Sequence, residues 1–76
     1  MLELIKYIAQ SLVENPDSVE VIEKEGPESV IYELHVAPDD MGKVIGRQGR
    51  IVRQIRVLMK AVGQRQGKKV SVEILD

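Results

Sequence analysis

The residues best placed to do chemistry lie in one stretch, Val44-Ile45-Gly46-Arg47-Gln48-Gly49-Arg50-Ile51-Val52-Arg53-Gln54-Ile55. Two glycines flank Arg47 and Gln48 at the tip of a tight turn. Glycine reaches positive φ and has no Cβ, so another backbone can approach closely at both positions. A helix opening at Arg50 directs its unpaired N–H groups and positive dipole end at the same space, which favours an anion. Lys43, Arg47 and Arg50 add mobile positive charge around it. The chemistry indicated is capture of a phosphate-bearing chain. The plainer alternative is that Gly46 merely caps a short helix and Gly49 completes a turn.

Catalytic chemistry finds less support. Nucleophilic and acid–base catalysis need titratable groups gathered together, with a base beside the nucleophile. Four serines share one histidine, His35, which the pattern places on a strand two residues from Glu33. Those two side chains share a strand face and are read as surface residues. The glycine stretch lacks a GK[ST] ending and does not directly follow a strand, so it is neither a P-loop nor a dinucleotide fingerprint. With no cysteine and one histidine, no thiolate or histidine-rich metal site is expected. The sequence reads as a non-enzyme without metal, cofactor or small-molecule substrate.

The formal net charge of −1 conceals a division. Residues 1–38 hold eight acids against Lys6 and Lys24, whereas residues 39–76 hold nine bases against four acids. No acid occurs from Met41 to Lys69. A bipolar charge map of this kind suits an electropositive working face, the alternative being simply solvated helix charges. The 76 residues suffice for one domain with a marginal core. No apolar run reaches the roughly 18 residues of a membrane span, and no secretory pattern opens the chain. Neither membrane association nor disulfides are expected, and a reducing cytoplasm fits.

The elements that must position the stretch follow from periodicity. Leu2, Ile5, Ile8-Ala9 and Leu12-Val13 mark an amphipathic helix that should end near Glu14-Asn15, since Pro16 disfavours helical geometry before it. Ser18–Glu25 and Ser29–Val36 alternate about a Gly26-Pro27 turn, which predicts an antiparallel hairpin with Val30, Tyr32, Leu34 and Val36 inward. Asp39 or Asp40 is placed to N-cap a short helix of Met41, Val44 and Ile45 that stops at Gly46. From Arg50 to about Gln66, Ile51, Ile55, Leu58 and Val62 form an apolar stripe with Met59 at its edge. Arg50, Arg53, Arg56 and Lys60 lie opposite. A last strand places Val70, Val72 and Ile74 inward. The order α-β-β-α-α-β predicts an α+β fold, with three helices on one face of a three-stranded mixed sheet.

With these elements in place, the glycine stretch closely resembles the I-G-x-x-G-x-x-[IV] signature of KH domains. The element order resembles their type II form, and the size resembles the small bacterial family called KhpA or YlqC. The resemblance covers the whole chain, as a single KH domain of residues 1–76, and it implies a cytoplasmic protein that binds single-stranded RNA. It implies that Gly46 and Gly49 admit the sugar-phosphate chain and that Arg47 and Gln48 contact it. Lys43 and Arg50 would add charge, and Val44 or Ile45 with Ile51 would floor or wall a base groove; Arg53, like Arg56 and Lys60, is either an RNA contact or part of a solvated helix face. Without Phe or Trp, no aromatic stacking platform is available. The resemblance further implies an RNA chaperone or post-transcriptional regulator. Such a protein would pair as a homodimer or with a larger KH-containing protein of the KhpB or Jag type. Val57 and Ala61 are candidate interface residues. The alternative is a protein-interaction module whose RNA contact is incidental.

Overall fold

The computed structural model describes residues 1–75; Asp76, within the expected 1–76 domain, lies outside the described residues. The elements are α1 (Leu2–Leu12), β1 (Glu20–Glu25), β2 (Ser29–His35), α2 (Met41–Ile45), α3 (Arg50–Arg65) and β3 (Lys69–Leu75). Short 3-10 turns cover Pro16–Ser18, Pro38–Asp40 and Arg47–Gly49. The sheet order is β1-β2-β3, with β1 antiparallel to β2 and β2 parallel to β3. The mixed sheet expected from the connections is therefore the one formed. The tight hairpin enforces the first pairing and the helical crossover the second.

The core lies between the helices and the inner face of the sheet. Val30, Tyr32 and Leu34 alternate inward along β2 and are at most 1% exposed. Ile5 of α1 and Ile55 and Met59 of α3 close over Val30 and Tyr32 of β2 and Val72 of β3. Ala9, Val19, Leu34, Val36 and Val44 form the companion cluster beside the glycine loop.

Three local expectations are corrected. First, α1 stops at Leu12 and not near Glu14-Asn15, because Val13 is already extended at φ −102°. The Glu14 and Asn15 amides instead donate to the Asp40 carboxylate at 3.2 and 3.0 Å. Second, β1 opens at Glu20 and not Ser18, since the 3-10 turn after Asn15 consumes Pro16–Ser18, although Val19 is still buried. Third, Asp40 precedes α2 but makes no side-chain cap bond to it.

The buried stripe of α3 is also rotated from the expected one. Val52, Ile55, Met59 and Gly63 are buried, whereas Leu58 is 42% exposed. At about 100° per residue, this face is turned by roughly 75° from the line through Ile51, Ile55, Leu58 and Val62. The cause is Gly63. A Cβ there would meet the Val70 side chain and lie 2.9 Å from the Lys68 carbonyl, so the bare backbone of α3 packs directly on the start of β3. Hydropathy counts Gly63 as nothing, but packing makes it the point of closest approach.

Candidate nucleic-acid interface

The glycine loop joins α2 to α3 through backbone states that its sequence was chosen to allow. Gly46 ends α2 at φ 77°, ψ 172°, a region essentially reserved for glycine. A Cβ at Gly46 would fall 2.6 Å from Ile51 Cγ1 and 2.9 Å from Ile51 Cβ. Gly49 is left-handed at φ 74°, ψ 19°, and a Cβ there would meet nothing nearer than Val52 Cγ1 at 3.9 Å. The two glycines thus differ in kind. Gly46 is required by the protein's own packing, whereas the empty space at Gly49 is available to something outside.

Gln48 is the one non-glycine residue at positive φ among the described residues, at 59°. Arg53, one turn into α3, donates from Nη2 to the Gln48 carbonyl at 3.3 Å and braces this unfavourable turn. Gly46 N–H donates to the Gly42 carbonyl and Gly49 N–H to the Gly46 carbonyl, at 2.9 and 3.1 Å. Arg47 and Gln48 at the tip are exposed. Beyond them, α3 has no side-chain N-cap and no acid in its first turn. A helix start without acid, led instead by Arg50, forgoes the usual dipole stabilisation, while the Arg50 amide itself donates to the Arg47 carbonyl. A local rule broken in this way is what a binding site does.

The remaining candidates separate. Arg50 is exposed, and Ile45 and Ile51 are half-buried. Lys43 is not free: its Nζ lies 3.5 Å from Glu14 Oε1 and 3.7 Å from Asp40 Oδ1. Val44 has no exposed surface and belongs to the core with Ala9, Leu34 and Val36, so it is withdrawn from the contact surface. Ile51 turns toward α1, where Ile8, Leu12, Ile55 and Leu58 complete an open apolar groove rimmed by Arg50 and Gln54.

A second feature lies along the edge of the sheet. β3 is an edge strand, and Arg56 of α3 donates from Nε to its Val72 carbonyl at 3.2 Å. Beside this contact Arg56, Lys60, Val70, Ser71 and Val72 line a shallow recess of about 230 Å³. It continues into one bounded by Lys60, Gln64, Lys68 and Lys69. The positive surface therefore runs from the loop along α3 to the α3–β3 turn. The acid-free interval pointed to it, but only the parallel pairing of β2 and β3 placed the edge there.

On the open sheet face, Lys24 Nζ contacts Glu33 Oε2 at 2.8 Å, and this hydrogen bond holds the Glu33 carboxyl below its usual range. His35 Nε2 stands 3.9 Å from Glu33 Oε1 without a hydrogen-bond partner. The pair is thus a strand-face contact. No helix among the described residues is long and apolar enough to cross a membrane.

An α-β-β-α-α-β chain on a mixed three-stranded sheet, with a glycine-bounded turn between its second and third helices, is a KH domain of the type II arrangement. A family model described as KhpA/KhpB, KH domain matches residues 2–74, and the chain belongs to that family, which is not an enzyme class. RNA-binding protein KhpA of Caldanaerobacter subterraneus subsp. tengcongensis is 59% identical over 75 residues, spanning 99% of this chain and 100% of its own. The proteins of the same name from Clostridium perfringens and Aquifex aeolicus are 55% and 46% identical, over 99% and 97% of this chain and 100% and 94% of theirs. Among solved structures, Era of Aquifex aeolicus superposes with a TM-score of 0.65 at 21% identity. That match covers 96% of this chain but 28% of Era, and it shows the shared fold.

Proposed function

We propose that this chain, as a single KH domain over residues 1–76, binds single-stranded RNA by its sugar-phosphate backbone. The observation that carries the reading is the loop. Gly49 offers an unobstructed left-handed turn beside the uncapped start of α3, with exposed Arg47, Gln48 and Arg50 around it. The names of the KhpA relatives support RNA as the ligand. In this reading Arg47 and Arg50 neutralise phosphate, while Gln48 contacts phosphate or sugar. Gly46 and Arg53 hold the loop's shape, and Lys43 reaches a phosphate by leaving its two acids. Ile45 and Ile51 supply apolar wall near the loop, and the α3–β3 recess continues the track.

Such a module grips few phosphates and gains affinity by pairing. The biological role follows as a cytoplasmic RNA chaperone or post-transcriptional regulator, paired with itself or with a larger KhpB-type protein. One observation favours the second reading, a protein-interaction module. The groove between α1 and α3 exposes Leu58, and Val57 is 59% exposed beside it. One experiment separates the two. The Arg47→Asp, Gln48→Asp double variant is compared with wild type for folding, self-association and binding to mixed-sequence single-stranded RNA. The RNA reading expects binding lost with folding and pairing intact. Unchanged RNA binding would sink it and leave the interaction reading standing.

A further inference from the structure

Asp40 is the one buried charged side chain among the described residues, at 1% exposure. Its carboxylate accepts from the Glu14 amide at 3.2 Å and the Asn15 amide at 3.0 Å, and from Asn15 Nδ2 at 3.0 Å. Both amides lost their helical partners when α1 ended at Leu12. We infer that Asp40 is a positioning residue for the glycine loop, stapling the exit of α1 to the start of α2 and so fixing where the loop stands. Its consequence for RNA rests on the function proposed above.

The argument is mechanical. α2 has five residues, too few to be stable or to hold its own direction in water. Its apolar side holds it, with Val44 buried among Ala9, Leu34 and Val36 and with Met41 and Ile45 packed against the same cluster, and the Asp40 carboxylate adds a polar anchor at its head. Gly46 lies two residues beyond Val44 and Asp40 four before it, so a tilt about Val44 moves the loop by about half the displacement at Asp40. An ionised carboxylate suits this place because it only accepts, and three donors converge on it. Lys43 spans Asp40 and Glu14 from the loop side. The staple therefore ties loop, α2 and α1 into one unit although Asp40 touches no loop residue.

A purely stabilising role would leave the loop unmoved. The test uses full-length Asp40→Asn, whose NH2 must face a donor, and Asn15→Ala, which removes a donor from the far side of the staple. Val30→Ala in the separate core cluster serves as a destabilised control. Two readouts are taken under folded conditions: the Gly46 and Gly49 amide shifts in the 15N-labelled free protein, and affinity for a short mixed-sequence single-stranded RNA. Asp40→Asn should move both amides and weaken RNA binding at least about five-fold, the low end of couplings between separate sites. Asn15→Ala should shift both readouts the same way by less, and Val30→Ala should shift neither. Unmoved loop amides in Asp40→Asn, or equal loss of affinity in Val30→Ala, overturn the inference. Should Asp40→Asn fail to fold, Asn15→Ala carries the decision. Should wild type bind no RNA, the functional proposal falls and the amide shifts alone decide the staple.

Discussion

Replacing each loop glycine by alanine should give two different outcomes from the same chemical change. At Gly46 the backbone sits at φ 77°, ψ 172°, where a side chain costs about 1–3 kcal/mol. The added Cβ also lands 2.6 Å from Ile51 Cγ1, and forcing a methyl into such a contact costs about another 1–3 kcal/mol. Gly46→Ala should therefore lose about 2–6 kcal/mol, from a total of roughly 4–11 kcal/mol for a domain of this length. At Gly49 the left-handed conformation costs about 1–2 kcal/mol, and the methyl meets no neighbour closely. Urea unfolding at 25 °C, with a slope of about 1 kcal/mol/M for a small domain, should move the midpoint down by about 2 M or more for Gly46→Ala and about 1–2 M for Gly49→Ala. The double variant Gly46→Ala, Ile51→Ala should be better than additive, because truncating Ile51 removes the overlap. RNA affinity should fall in the well-folded Gly49→Ala, whose methyl occupies the approach. Equal losses at the two glycines, or strict additivity with Ile51→Ala, would refute the packing argument for Gly46.

Further outcomes follow from the same geometry. If the loop and its basic neighbours neutralise two to four phosphates, log Kobs for single-stranded RNA should fall with log salt at a slope of roughly −1.5 to −3. A slope near zero, measured by fluorescence anisotropy, would remove the phosphate contacts. Asp40 and Glu33 set an acid limit to stability. Burial alone would raise the Asp40 carboxyl, but the hydrogen bonds from Asn15 and the Glu14 amide, with Lys43 nearby, outweigh it and hold the value down. The Lys24 contact holds Glu33 down. Both folded values lie below the unfolded ones, so their stabilisation is complete above the ordinary values of 3.8 and 4.5 and is lost as pH falls through the lowered ones. The urea midpoint should therefore drop below pH of about 4.5, less steeply in Asp40→Asn. Parallel curves for the two proteins would contradict the role given to Asp40.

The elements, their order and the loop are legible in local signals. Alternation along Val30, Tyr32, Leu34 and Val36, the Gly26-Pro27 turn and the glycine pair are local signals, and local sterics decide them. The loop was legible because glycine's freedom is a property of the residue, and a run without acids is visible in any reading. What only tertiary structure decided were relations between distant residues. Asp40 looked like a cap for the helix it precedes. Its carboxylate instead turned to amides of Glu14 and Asn15, which were free because α1 had ended early. The face of α3 was misjudged because hydropathy weighs side chains, while Gly63 packs by having none. Of Val44 and Ile45, the alternatives for the groove, Val44 is core, and Arg53, an RNA contact or a solvated helix residue by pattern, braces the Gln48 carbonyl. Periodicity reports which residues avoid water, but which partner each meets depends on how the helices cross the sheet. That crossing is set by contacts far apart in sequence, and no local pattern records them.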